Sequence, residues 1–142
     1  MRHRAGGIGK AFKAFLRQES GSSSIEFVLW VPLVLAILLL VVDSSMLFMS
    51  RTHAIRVLQD TNRLYSVGQF TGTQAERITA AQRYALQRLQ GLSPSATITT
   101  TETNRVVRTR ATLETAEIAQ IGFLGLMIDR TMVVAAEHRV EF

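Results

Sequence analysis

The residue in the most unusual chemical setting is Glu26, a carboxylate at the start of a long apolar run. Residues 27–42 carry neither a charge nor a strongly hydrogen-bonding side chain. An acidic side chain that enters such a segment is costly in a membrane, and residues of this kind tend to have a partner and a role. Two roles fit Glu26. It can form a capping box with Ser23 and complement the helix dipole, or it can pair with a cationic group.

Gly21 and Ser22 offer a source for that cation. If the chain is cut between them, a new α-amine appears at Ser22, about one helical turn before Glu26. The carboxylate could then neutralise this amine or the amine of a neighbouring subunit. Gly21, Glu26 and Phe27, set between a basic leader and a long apolar helix, form a far more specific combination than any one of them alone.

The basic charge of the protein is concentrated in that leader. Residues 1–21 carry five Lys and Arg against one Glu, whereas the rest of the chain carries eleven Arg against ten Asp and Glu. Positive charge beside a membrane span stays cytoplasmic, so the leader is predicted to lie inside and the chain after residue 43 outside. Because the later charges are interspersed in sign, we expect no nucleic-acid partner.

The apolar run is long enough to cross a bilayer. As a helix, residues 25–42 extend about 27 Å, close to the roughly 30 Å thickness of the hydrocarbon core. Pro32 removes one helical hydrogen bond, which membrane helices tolerate. The predicted organisation is a cleaved basic cytoplasmic leader (1–21), a transmembrane helix (22–43) and a periplasmic domain (44–142).

The fold class predicted for the exported part is α+β. The first helix is expected to run from about Ser23 to Val67, because an apolar stripe continues at helical spacing beyond Asp43, where the apolar run ends. This stripe comprises Leu47, Ala54, Val57, Leu58, Thr61, Leu64 and Tyr65. After a turn between Gly68 and Gly72, Thr73 and Glu76 form a capping-box pattern that opens a second helix.

The remaining elements are predicted to be strands. After Gly91 and Pro94 end the second helix, residues 96–103 are rich in threonine, and residues 106–113 alternate apolar with polar side chains. Asn104 and Arg105 are expected to form the turn between them. A third strand over 131–139 completes an antiparallel sheet of about three strands, against which both helices pack.

One apolar segment, Ile121–Ile128, is too short to span a bilayer. Packing in the core under the long helix is the favoured interpretation. The alternative is an exposed patch for a partner subunit.

No catalytic role is predicted, and we expect neither a cofactor nor a metal. The chain has no cysteine, which excludes thiol catalysis and cysteine metal sites. Its three histidines, His3, His53 and His138, have no metal-ligand spacing, and no phosphate loop or hydrolase motif occurs. The protein is therefore expected not to be an enzyme.

These residues resemble a class III signal peptide of the type IV pilin kind, and in detail the TadE-like pseudopilins of tight-adherence (Flp) pilus systems. The matching positions are Gly21 before the scissile bond, Glu26 as the fifth residue after it and Phe27 as the sixth. Ser22 stands where many type IV pilins have an aromatic residue, and a small residue there suits the TadE-like group. The resemblance covers about residues 17–65.

The resemblance implies cleavage between Gly21 and Ser22 by a prepilin peptidase, for which this protein is a substrate. It also implies that Glu26 assists assembly at the inner membrane by pairing with another pilin or pseudopilin subunit, together with the pilus assembly machinery. Because the folded part is too large for a major Flp pilin, a minor pseudopilin is expected. The alternative is an uncleaved, single-pass membrane-anchored periplasmic binding or scaffold protein.

Overall fold

The computed structural model describes residues 20–119 and 130–141. In chain order its elements are helix α1 (Ser20–Ser66), helix α2 (Gln74–Leu89), strand β1 (Thr97–Thr103), strand β2 (Val106–Glu114), the short helix α3 (Thr115–Ile118) and strand β3 (Thr131–Arg139). The predicted α+β class is confirmed, with its long first helix, second helix and three-stranded sheet. The short helix α3 was not predicted. The apolar segment Ile121–Ile128 lies outside the described residues.

Helix α1 is continuous over 47 residues and contains Pro32. It begins three residues before the predicted start at Ser23 and ends one residue before Val67. The chain divides into two compact units, residues 1–38 and 39–142, with the division inside α1. Within the second unit, the predicted stripe of α1 is largely buried, most completely at Ala54, Leu58, Thr61 and Tyr65.

Helix α2 begins with the predicted capping box. Thr73 is the N-cap, its backbone N–H donates to Glu76 Oε2 at 2.7 Å, and the Glu76 N–H donates to Thr73 Oγ1 at 3.4 Å. The bond from the Thr73 N–H lowers the pKa of the Glu76 carboxyl. Gly72 precedes the cap with φ +107°, and a Cβ there would lie 2.5 Å from Glu76 Oε2, so this position needs glycine.

The sheet is antiparallel, with strand order β1-β2-β3. β1 and β2 form a hairpin in which Thr103 pairs with Val106 and the loop is Asn104 and Arg105. Both loop residues have positive φ, 53° and 61°, as a two-residue type I′ turn requires. The predicted turn is therefore confirmed.

Alternation along the strands separates an inner face from an outer face. On β2 the four odd-numbered residues, Val107, Thr109, Ala111 and Leu113, are buried. Val107, Ala111 and Leu113 pack with apolar residues of α1, α2 and β3 in two clusters. The larger contains Ala54, Val57, Leu58, Ala85, Leu89, Ala96, Ala111, Leu113, Ile118, Val134 and Ala136, and the smaller contains Tyr65, Ala81, Val107 and Val140.

A chain of polar side chains crosses this core. Asn62, on α1, donates from Nδ2 to the backbone oxygen of Ala136 at 2.7 Å and accepts from Thr109 Oγ1 at 2.6 Å. Thr109 in turn lies 3.0 Å from Thr100 Oγ1. Asn62 and Thr109 are fully buried. Because each group is hydrogen-bonded where water is absent, the network joins α1 to all three strands in one register.

Substitution of Asn62 by alanine is therefore expected to lower the free energy of unfolding by about 2 kcal/mol or more. The substitution leaves the Ala136 carbonyl and the Thr109 hydroxyl buried without their partner, and it leaves a cavity. The matched control is Gln59→Ala, at an exposed position of the same helix, with an expected change within about 0.5 kcal/mol. Denaturant titration of the detergent-solubilised protein, followed by circular dichroism, measures both. Equal stability of the two variants would contradict this role for Asn62.

Candidate functional site

The first unit of the chain presents an apolar helical surface. Every large apolar residue of α1 from Ile25 to Leu35 is exposed; Phe27, for example, is 70% exposed and Trp30 55%. Within Ile25–Ser66, a window with mean hydropathy 2.9 has the length and composition to cross a membrane, and none of it is buried. An exposed apolar surface of this extent marks a site that contacts lipid or other proteins.

The predicted cleavage position, between Gly21 and Ser22, lies in the first turn of α1, which begins at Ser20. Glycine and serine are weak helix formers, so local opening of the helix here costs little. A protease that needs an extended substrate could therefore open this turn without disturbing the helix that follows.

Glu26 is not in the first turn of α1, which contains no acidic residue. The interpretation of Ser23 and Glu26 as a capping box at the helix start is therefore wrong for the full-length chain, because α1 begins upstream of Ser23. Glu26 is exposed, and among the described residues it has no ion pair. Removal of residues 1–21 would make it the fifth residue of the chain and bring it near the new helix end.

Asp43 ends the apolar run, where an exposed charge at the membrane surface would be expected, but the structure places it elsewhere. Its side chain is fully buried in the second unit. The hydroxyl groups of the next two residues are hydrogen-bonded within the helix. Ser44 Oγ donates to the Leu40 carbonyl at 2.7 Å, and Ser45 Oγ donates to the Val41 carbonyl at 2.8 Å. No pattern in the sequence indicated the burial of Asp43.

As a result, the uncharged surface of α1 continues past Asp43. From Phe27 to Ser50 the only charged residue is this buried aspartate, and the next exposed charge is Arg51. These residues extend about 36 Å as a helix, roughly one turn more than a 30 Å hydrocarbon core. Phe48 and Met49, which are 75% and 76% exposed, lie in this added turn.

The end of α1 is fastened to the sheet through Tyr65. Its hydroxyl donates to Glu102 Oε2 at 2.5 Å, and the same oxygen accepts from Gln74 Nε2 at 3.1 Å and lies 3.7 Å from Arg77 Nη2. Burial, and then the hydrogen bond to the Glu102 carboxylate, raise the pKa of Tyr65 to about 12. The phenol is therefore neutral at all physiological pH values, and the contact holds α1 to β1 and α2.

Two further side-chain hydrogen bonds join elements of the second unit. Ser93 donates its hydroxyl to Glu117, and this bond lowers the pKa of the Glu117 carboxyl. Tyr84 donates to Asp60 Oδ2 at 2.8 Å. Within residues 20–119 and 130–141, no group of histidine, aspartate and glutamate side chains is placed to hold a metal ion.

One apolar helix near the N-terminus, joined to an α+β unit, is the arrangement of a single-pass membrane-anchored protein. Comparison with protein families then identifies the anchor segment: residues 21–63 match the family described as TadE-like protein. The predicted resemblance to TadE-like proteins is thus confirmed over these residues. No curated protein and no solved structure matches the chain.

Proposed function

We propose that this chain is a minor pseudopilin that a prepilin peptidase cuts between Gly21 and Ser22, and that it takes part in assembly of a Flp-type (tight-adherence) pilus. In this role the protein is a substrate and a structural subunit, not a catalyst. Its partners are the peptidase, other pilin and pseudopilin subunits, the inner membrane and the assembly machinery.

The observation that carries the proposal is that the start of the TadE-like segment coincides with the predicted cleavage position. The TadE-like segment begins at Gly21, the residue that we place before the scissile bond. From Ile25 to Val42, Glu26 is the only polar residue, and most of the apolar residues there are exposed. An ordinary anchor needs a long apolar helix, but it does not need a carboxylate at the fifth position after a glycine.

The mechanism follows from the positive charge that cleavage creates at Ser22. A new α-amine at Ser22 and the carboxylate of Glu26 would lie about 6 Å apart along one helix, which lets them neutralise each other in the membrane. When two subunits pack side by side, Glu26 can instead take the amine of its neighbour. Because either charge alone is costly in the apolar interior, this pairing fixes the axial register between helices.

The membrane orientation follows from the distribution of basic residues. The leader holds positive charge on the cytoplasmic side, so residues 44–142 are periplasmic and 22–43 span the inner membrane. The uncharged surface that continues to Ser50 lets the helix tilt in the bilayer or extend its packing with other subunits beyond it. The assembled state could place the chain in a surface pilus.

Mass spectrometry of the mature N-terminus tests the proposal. Protein purified from membranes of the native host is expected to begin at Ser22. A chain that retains residues 1–21 would contradict the proposal and favour the uncleaved, membrane-anchored periplasmic binding or scaffold protein. Cleavage after residue 43 would instead indicate ordinary secretion.

A further inference from the structure

The outer face of the sheet carries an ordered set of hydrogen-bonding groups that the pilus assignment does not use. On β1, every second residue points to this face and is exposed: Thr97, Thr99, Thr101 and Thr103. The row is about 20 Å long at the usual rise of a strand. On the neighbouring strand, Arg110 pairs with Thr99 and Arg108 pairs with Thr101.

These four cross-strand neighbours line one shallow groove. Thr99, Thr101, Arg108 and Arg110 surround a volume of about 290 Å³. Two arginine and two threonine side chains therefore line the same space. All four can donate hydrogen bonds, and only the hydroxyls can accept them.

The two arginines differ in their charge environment. Arg108 Nε lies 2.5 Å from Glu137 Oε1, so its charge is partly offset from the β3 side. Arg110 pairs across the strands with Thr99 and Ala135, neither of which is acidic. Among the described residues, Arg110 forms no salt bridge. The groove thus has a positive charge available for an anionic ligand.

We propose that this groove binds a carboxylate of an acidic polysaccharide, with Arg110 as the principal contact and the threonine row bonding to the sugar hydroxyls. A guanidinium group matches a carboxylate with two parallel hydrogen bonds. Threonine hydroxyls both donate and accept, as sugar hydroxyls do. Because the row extends well beyond the groove, it suits a polymer better than a single small anion.

The same face is poorly suited to nucleic acid. The residues of β1, β2 and β3 that point outwards include no aromatic side chain, and single-stranded nucleic acids are held largely by bases stacking on aromatic rings. Glu137 also reduces the positive charge that a phosphate backbone requires. The proposed binding depends on the sheet and does not involve Gly21 or Glu26, so it stands apart from pilus assembly.

The test uses the full chain in nanodiscs of zwitterionic lipid, with binding measured by calorimetry. Sodium alginate oligomers serve as the acidic polysaccharide, dextran oligomers as the neutral one and single-stranded DNA as the alternative polyanion. We expect binding to alginate, little or none to dextran, and much weaker binding to DNA. The substitution Arg110→Gln should weaken alginate binding by about tenfold or more, since it removes a charge-assisted contact.

Arg83→Gln is the matched control, because Arg83 is an exposed arginine on α2, away from the strands. It removes the same charge and should leave alginate binding unchanged. Thr101→Val keeps the shape of the side chain but removes its hydroxyl, and it should weaken binding severalfold. Absence of alginate binding, equal binding of dextran or DNA, or equal losses in Arg110→Gln and Arg83→Gln would each overturn the proposal.

Discussion

Replacement of Gly21 by leucine is expected to leave the protein unprocessed, with residues 1–21 still attached. A bulky side chain beside the scissile bond would not fit the peptidase site. Leucine also favours the helical conformation over glycine by somewhat less than 1 kcal/mol, which opposes opening of the first turn of α1. Immunoblotting of membrane fractions, with mass spectrometry of the N-terminus, measures the ratio of full-length to cleaved protein.

The substitution Gly21→Ala separates the effect of side-chain size from the effect of helix propensity. Alanine stabilises a helix at least as well as leucine does, but it adds only one methyl group. If side-chain size is what blocks cleavage, the alanine variant is still processed to a large extent while the leucine variant is not. Normal processing of Gly21→Leu would show that the cut lies elsewhere or does not occur.

Replacement of Glu26 by alanine is expected to leave the protein in the membrane and to reduce surface pili by about tenfold or more. Removal of the carboxylate makes the span more apolar, so insertion should not suffer. Pairing with the neighbouring α-amine is lost, however, and a charge buried without its partner costs at least several kcal/mol. Electron-microscopic counts of filaments, with fractionation of the same cells, measure both outcomes.

Two further variants test whether charge is the cause. Glu26→Gln keeps the size of the side chain and removes its charge, so it should behave like the alanine variant. Glu26→Asp keeps the charge on a shorter side chain and should retain part of the piliation. If all three variants assemble as the unsubstituted protein does, Glu26 has no role in pairing the subunits.

Local signals in the sequence predicted most of the secondary structure. The capping box of Thr73 and Glu76, the turn at Asn104 and Arg105 and the alternation along β2 were all found in the structure. Each of these depends on residues within a few positions of one another. Their backbone geometry is therefore set mainly by short-range sterics and hydrogen bonds.

The interpretation of Ser23 and Glu26 as a capping box was wrong because a short-range pattern does not show where a helix begins. A capping box needs its first residue to be the last non-helical one, and the sequence pattern does not show whether the helix has already begun. In the full-length chain α1 starts at Ser20, so the pattern falls inside the helix. The roles assigned to Gly21, Ser22, Glu26 and Phe27 remain predictions for the experiments above.

The sequence by itself determined the basic composition of residues 1–21, the long apolar helix and the order of the later elements, because these follow from composition and short-range periodicity. Only the tertiary structure decided that Asp43 is buried, that Asn62 bonds to Thr109 and Ala136, and that Arg110 shares a groove with Thr99. Burial and strand register depend on segments far apart in the chain that are brought together by packing. No local pattern records which residues will meet there.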